Sequence, residues 1–325
     1  MLILTQLQKR ENMKIVCLDA DTLGNDVDLD SVFGKFGEFV SYNMTDETQT
    51  IQRLQNADIV LTNKVLITKD VIAKTNLKLI CVTATGVNNI DLDAAKKANI
   101  LVKNVAGYST NSVVQQTFAN ILAIRNSTSY YENYGKNSDG WAKSQIFVNL
   151  DKPIFELSGK KFCVIGLGTI GLEVAKVAQA FGCEVSYYST SGNNSNSNFK
   201  RVSFDEVLKS DIISIHAPLN ENTKNLFNSQ TLNQLKDGAM LVNSGRGGIV
   251  DEEYMAKLID EREIYFITDV LEKEPIVANH PLLKVKNKDR LMITPHIAWA
   301  SVEARRKLIE LSVKNIEDFI KDQNG

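Results

Sequence analysis

Short apolar runs alternate with amphipathic stretches along almost the whole chain. The runs Lys14–Leu18, Ile59–Leu61, Leu79–Val82 and Ile100–Lys103 are rich in Val, Ile and Leu and too short for helices, which predicts strands. Between them, Thr48–Leu54, Asp70–Thr75 and Asp91–Ala98 carry helical spacing. Strand–helix alternation of this kind implies parallel sheets joined by helical crossovers. A long helix is predicted from about Asn111 to Asn126, too apolar for a free surface. A second series follows: strand Lys161–Ile165, helix Ile170–Phe181, strand Glu184–Tyr188, then strands at Asp211–Ile215, Met240–Asn243, Phe266–Asp269 and Leu291–Thr294. The Ser/Asn-rich stretch Ser189–Asn198 reads as a solvated loop, and Val302–Lys321 as an amphipathic closing helix.

Composition narrows the class. At 325 residues the chain exceeds one small core, so two domains are expected. With 43% hydrophobic and 23% charged residues it reads as a folded globular protein. Against 37 Lys and Arg stand 39 Asp and Glu, so no basic excess exists to bind phosphate backbones, and no nucleic acid partner is expected. Apolar runs such as Leu79–Val82 and Ile121–Ile124 fall far short of the ~20 residues a membrane span needs. The start lacks the features of a secretory signal; Met13-Lys14-Ile15 reads as a second candidate start, with the first twelve residues a loose extension. Four cysteines (Cys17, Cys81, Cys163, Cys183) are scattered without a C-x-x-C pair, which argues against disulfides and bound metal and for a reducing cytoplasm.

Between the strand ending at Ile165 and the following helix lies Gly166-Leu167-Gly168-Thr169-Ile170-Gly171. This is G-x-G-x-x-G in the context of strand, turn and helix, where the glycines serve a tight turn, the approach of a pyrophosphate and close helix–strand packing. The second strand should end in an acid that binds the adenosine ribose, but Ser189 occupies that place. Hydroxyls neither hold the ribose strongly nor repel a 2′-phosphate, and Lys200 and Arg201 are near in sequence, so the cofactor reads as NAD or NADP.

Three charged residues stand at or just past strand ends in the second series: Arg246 in Asn243-Ser244-Gly245-Arg246-Gly247-Gly248, Glu274 before Pro275, and His296 in Thr294-Pro295-His296-Ile297. Read alone, each has a plain explanation: a helix cap, a solvated loop charge, a structural histidine. Together with Ala84-Thr85-Gly86-Val87-Asn88-Asn89-Ile90-Asp91, the glycine loop, Ser214-Ile215-His216-Ala217-Pro218-Leu219 and Ala298-Trp299-Ala300-Ser301, they make the chain resemble the D-2-hydroxyacid dehydrogenase family from about Met13 onward. The Ala-Trp-Ala-Ser run points to its glycerate dehydrogenase (hydroxypyruvate reductase) branch.

The resemblance implies roles that make physical sense. His296 is the general acid–base, giving a proton to the carbonyl oxygen of a 2-keto acid as hydride arrives from the nicotinamide. Glu274 orients its ring and favours the protonated form. Arg246 binds the substrate carboxylate, for which its fork of donors is suited. Asp269 holds the nicotinamide carboxamide, and backbone amides around Thr85, Gly86 and Val87 share the substrate carboxylate. Cofactor contacts are assigned to Gly166, Gly168, Thr169, Ile170, Gly171, Ser189, His216 and Pro218; for His216 a structural place at a strand end is an equal alternative. Trp141, in the polar segment Asn133–Lys143, is either a packing anchor or part of an intersubunit arm.

The resemblance further implies an α/β fold of two Rossmann-like doubly wound parallel-sheet domains with a cleft between them. A flavodoxin-like substrate domain comprises residues 1–107 and 297–325, and a dinucleotide-binding domain residues 108–296, with hinges near Tyr108 and His296 and closure that excludes water. A homodimer joined through the long helix is expected. The substrates implied are hydroxypyruvate- or glyoxylate-type 2-keto acids; the alternatives are another 2-keto acid such as pyruvate, or a dinucleotide-sensing, corepressor-like binding protein.

Overall fold

A computed structural model describes residues 13–193, 195–196 and 198–323. The expected loose extension before Met13 lies outside the described residues. The chain divides into two units, one formed by Met1–Ser109 with Ser301–Gly325 and the other by Thr110–Ala300.

In the first unit, strands β1 (Lys14–Cys17), β2 (Glu38–Ser41), β3 (Ile59–Thr62), β4 (Leu79–Val82) and β5 (Leu101–Lys103) form one sheet in the order β2-β1-β3-β4-β5. Every pairing is parallel, and the order is that of a doubly wound flavodoxin-like sheet. β3 and β4 are buried throughout, as central parallel strands covered on both faces must be. β2 went unread in the sequence because Glu-Phe-Val-Ser is a half-exposed edge strand with only two apolar residues. The Val302–Asp322 helix buries Ala304, Leu308, Ile309, Ser312, Ile316, Phe319 and Ile320, the one-sided spacing of an amphipathic helix.

The second unit carries β6 (Lys161–Ile165), β7 (Glu184–Tyr188), β8 (Lys200–Arg201), β9 (Ile212–Ile215), β10 (Met240–Asn243), β11 (Tyr265–Thr268) and β12 (Leu291–Ile293). They form an all-parallel sheet in the order β12-β11-β10-β9-β6-β7-β8. The chain winds outward from β6 through β7 and β8, then returns to continue through β9. The topological switch therefore falls between β6 and β9, where open α/β sheets bind their ligands.

Some expected boundaries shift. A helix over Thr128–Lys136 reaches into the polar segment Asn133–Lys143. Ser189 is buried, so the solvated loop starts beyond it. The Glu252–Glu261 helix was passed over; Asp251 caps it by accepting the Tyr254 N–H. All four cysteines are buried and unpaired. Burial pushes the thiols of Cys17, Cys81 and Cys163 up to about 12. No helix among the described residues is long and apolar enough to cross a membrane.

Candidate active site

The candidate residues of the second unit all follow the carboxyl ends of its parallel strands. The glycine loop follows β6, Ser189 follows β7, His216 and Pro218 follow β9, Arg246 follows β10, Asp269 and Glu274 follow β11, and His296 follows β12. Parallel pairing puts these ends along one edge of the sheet.

In the glycine loop each glycine has its own reason. Gly166 holds φ +85°, the left-handed region that a side chain disfavours. A Cβ on Gly171 would meet the Gly166 carbonyl oxygen at 2.1 Å, so only glycine lets the helix sit this close. At Gly168 no atom comes within 4 Å of a Cβ position, which leaves the backbone open to a ligand. Thr169 and Gly168 are exposed at the start of the Thr169–Ala180 helix, while Ile170 packs on the core. Free N–H groups and the positive helix end suit a pyrophosphate there. The residues present fit a dinucleotide.

At the adenosine end, Ser189 starts a turn in which Gly192 N–H donates to its carbonyl. Nη1 of Arg201 donates to the Gly192 carbonyl at 2.9 Å, so the cation noted nearby in sequence is also at this turn.

The strand-end turns lean on one another. A Cβ on Gly166 would touch Ala217 at 3.0 Å, and one on Gly245 the Ala217 carbonyl oxygen at 3.0 Å. One on Gly247 would strike the Leu271–Glu272 peptide at 2.0–2.3 Å. Backbone contact thus links the glycine loop, the His216 segment, the Arg246 turn and the segment leading to Glu274. Asn243, buried at the end of β10, shapes the Arg246 turn: its Oδ1 accepts the Gly245 N–H and its Nδ2 donates to the Arg246 carbonyl. Arg246 donates from Nη1 to the Gly245 carbonyl and has no ion pair among the described residues.

Glu274 Oε2 lies 2.7 Å from Nδ1 of His296, and Oε1 accepts the Leu271 N–H at 2.9 Å. His296 holds φ +53°, a left-handed conformation costing about 1–3 kcal/mol for a residue with a side chain. Asp269 sustains it. Its carbonyl accepts the His296 N–H, while its carboxylate accepts Thr294 Oγ1, Ile297 N–H and Ala298 N–H. The residue expected to hold a carboxamide therefore also pins the segment that carries His296. Burial raises its carboxyl above the ordinary range, against the pull of those hydrogen bonds.

Of the three histidines, the structure gives His216 and His280 different surroundings from His296. His216 shares a 2.8 Å hydrogen bond between Nε2 and Ser214 Oγ, and its Nδ1 is sealed with no partner. Burial pushes its ring down to about 4, so it is neutral at ordinary pH. His280 Nδ1 accepts the Leu282 N–H and its Nε2 faces buried Glu252 at 3.0 Å. Sequence reasoning missed Glu252, Gly247 and the role of His280, since a glutamate opening a helix reads as a solvated, helix-favouring charge.

In the first unit, the Thr85–Val87 loop follows β4. Thr85 Oγ1 donates to the Val105 carbonyl, and Asn104 Nδ2 donates to the Thr85 carbonyl. Val87 packs against the core there, with Gly86 between them half-buried.

A family model described as D-isomer specific 2-hydroxyacid dehydrogenase, NAD binding domain, matches residues 118–298. The chain is 36% identical to a hydroxypyruvate reductase of Blautia hydrogenotrophica, over 95% of this chain and 97% of that protein. It is 33% identical to a glycerate dehydrogenase of Methylorubrum extorquens, over 96% and 98% of the two chains. Among solved structures, a D-lactate dehydrogenase of Aquifex aeolicus complexed with NAD and lactic acid is similar at a TM-score of 0.80 and 26% identity, over 95% and 96% of the chains.

Proposed function

The chain belongs to the D-isomer specific 2-hydroxyacid dehydrogenase family, and we propose that it reduces small 2-keto acids of the hydroxypyruvate and glyoxylate type to D-2-hydroxy acids. The observation that carries this reading is the 2.7 Å contact between His296 and Glu274 at the ends of adjacent parallel strands. The names of relatives matched over nearly the whole chain support the substrate class.

The Gly166–Gly171 loop and the helix it opens would hold the pyrophosphate, Ser189 and the His216–Pro218 segment would lie along the cofactor, and Asp269 would meet the carboxamide. A nicotinamide dinucleotide held this way supplies hydride to the carbonyl carbon of the 2-keto acid. Arg246 binds the substrate carboxylate with two parallel donors, which fixes the carbonyl's orientation. His296 gives its Nε2 proton to the carbonyl oxygen as negative charge develops there. Glu274 holds Nδ1, which directs Nε2 at the substrate and stabilises the imidazolium before transfer.

Trp141, Ile146, Phe147, Leu150 and Ile154 are all exposed on one stretch. Apolar surface of that extent on a polar chain supports an intersubunit arm and a homodimer. Four buried, unpaired thiols suit a reducing cytoplasm.

The test is the near-ultraviolet absorbance of reduced nicotinamide, followed with hydroxypyruvate, glyoxylate and pyruvate and with each cofactor in turn. Hydroxypyruvate or glyoxylate is expected to exceed pyruvate in kcat/KM by about tenfold or more. Preference for pyruvate would move the substrate class, and no oxidation with any acid would overturn the reading.

A further inference from the structure

One buried, hydrogen-bonded carboxylate–imidazole couple of the second unit stands outside the mechanism just given. Glu252 opens the Glu252–Glu261 helix, yet its side chain turns inward and is buried, as is His280. Oε1 of Glu252 accepts the backbone N–H of Glu272 at 2.8 Å, and Oε2 faces His280 Nε2 at 3.0 Å. Because His280 Nδ1 accepts the Leu282 N–H, the ring proton sits on Nε2 and is donated to Glu252. A carboxylate desolvated this far is costly unless its oxygens are satisfied. Burial raises the Glu252 carboxyl, and its two hydrogen-bond partners oppose that rise.

The peptide that Glu252 grips is the Leu271–Glu272 peptide. Its carbonyl face is pressed against Gly247, next to Arg246. The Leu271 N–H, in the preceding peptide and joined to it through the Leu271 Cα, donates to Glu274 Oε1, whose partner oxygen meets His296. One carboxylate thus holds Leu271 from its carbonyl side, and the N–H of the same residue sets the aim of Glu274.

We propose that Glu252, with its second oxygen satisfied by His280, is a positioning residue that holds the Leu271–Glu272 peptide so that Glu274 is aimed at His296. This rests on the proton-donor role proposed for His296. It acts through Glu274 and touches neither substrate nor cofactor.

Two readouts test it, one free of catalysis. With only three histidines in the chain, the His296 ring signals can be assigned by substitution and followed by nuclear magnetic resonance in full-length protein. Glu252→Ala is expected to move the His296 ring signals towards those of Glu274→Gln, and Glu252→Gln, which keeps an oxygen for the Glu272 N–H, to restore most of the wild-type position. In turnover, Glu252→Ala is expected to lower kcat ~10- to 100-fold with the 2-keto acid KM changed less than about threefold. In a Glu274→Gln background the same change should cost less than about threefold, because its target is already lost. If Glu252→Ala does not fold, Glu252→Ala/His280→Ala, which leaves neither member of the pair unpartnered, carries the same expectations. Wild-type ring signals in Glu252→Ala, or an equal loss of kcat with and without Glu274, would overturn the proposal. A wild-type protein inactive on every 2-keto acid would instead overturn the functional reading, while the ring signals would still report on Glu252.

Discussion

His296 and Glu274 meet at 2.7 Å across the ends of two adjacent strands, and the histidine does so from a left-handed backbone, at φ +53°. Local preference alone would relax that conformation, so the carboxylate and the Asp269 hydrogen bonds must hold it. Removing the acid should therefore separate chemistry from binding. His296→Ala is expected to lower kcat ~100- to 10,000-fold with cofactor affinity little changed. Glu274→Gln keeps an oxygen near Nδ1 but removes the charge that favours the imidazolium. Its kcat should fall ~10-fold or more, with cofactor affinity again little changed. Steady-state rates across pH for both variants, beside cofactor titrations by fluorescence, check this; an unchanged His296→Ala rate would reject the donor.

Arg246 makes no ion pair among the described residues, and its Nη1 is spent on its own turn at Gly245, leaving the rest of the fork for a ligand carboxylate. Arg246→Lys replaces two parallel donors by a point charge. The KM for the 2-keto acid should rise ~10-fold or more, with cofactor binding retained. An unaltered KM would count against the assignment.

Ser189 is buried at the end of β7, while Arg201 reaches the same turn through Gly192. The stretch from Ser189 to Lys200 contains no Asp or Glu to repel a 2′-phosphate. Ser189→Asp should shift preference towards NAD, raising the KM for NADPH ~10-fold or more relative to NADH, since a carboxylate accepts from ribose hydroxyls and repels phosphate. Equal use of both cofactors before and after would show that position 189 does not read the ribose.

The parts legible in the sequence are those where local pattern and final role coincide. Buried parallel strands such as Leu79–Val82 and Lys161–Ile165 are continuous apolar runs, and the glycine loop has one purpose per glycine. Residues whose purpose is set by a distant partner were illegible. Glu252 resembles any helix-opening acid until the Glu272 N–H, twenty residues on, is brought to its Oε1. Asp19 is similar: its carboxylate takes the N–H groups of Asn63, Lys64 and Val65 after β3, a use no spacing announces. Edge strands β2 and β8 were missed because exposure on one side removes the apolar run that marks a buried strand.

Gly247 offers a purely steric probe of how the Arg246 turn and the Glu274 segment depend on each other. A methyl group there meets backbone atoms of Leu271 and Glu272 at 2.0–2.3 Å, and backbone cannot rotate aside as a flexible side chain can. Gly247→Ala should cost about 1–3 kcal/mol of stability and reduce kcat while the protein remains folded, since both neighbouring turns must shift. Urea unfolding with kinetics on the same samples checks it. Wild-type values for both would mean the two turns move apart freely.

His216 makes a prediction about acid stability. Its ring is pushed from the ordinary 6.5 down to about 4 by burial, so between those values the unfolded chain holds a proton that the folded chain refuses. The unfolded state then binds more protons, and stability must fall as pH falls through this window. Above pH 6.5 both states are neutral at this position and the effect vanishes. At pH 5 the penalty amounts to about 2 kcal/mol at most. His216→Gln removes the titrating ring while retaining a polar group for Ser214. Urea unfolding at pH 7.5 and pH 5.0 should show the wild type losing more stability on acidification than the variant, by up to about that amount. Identical losses would place the His216 ring in contact with water and return its sealed Nδ1 to an ordinary solvated nitrogen.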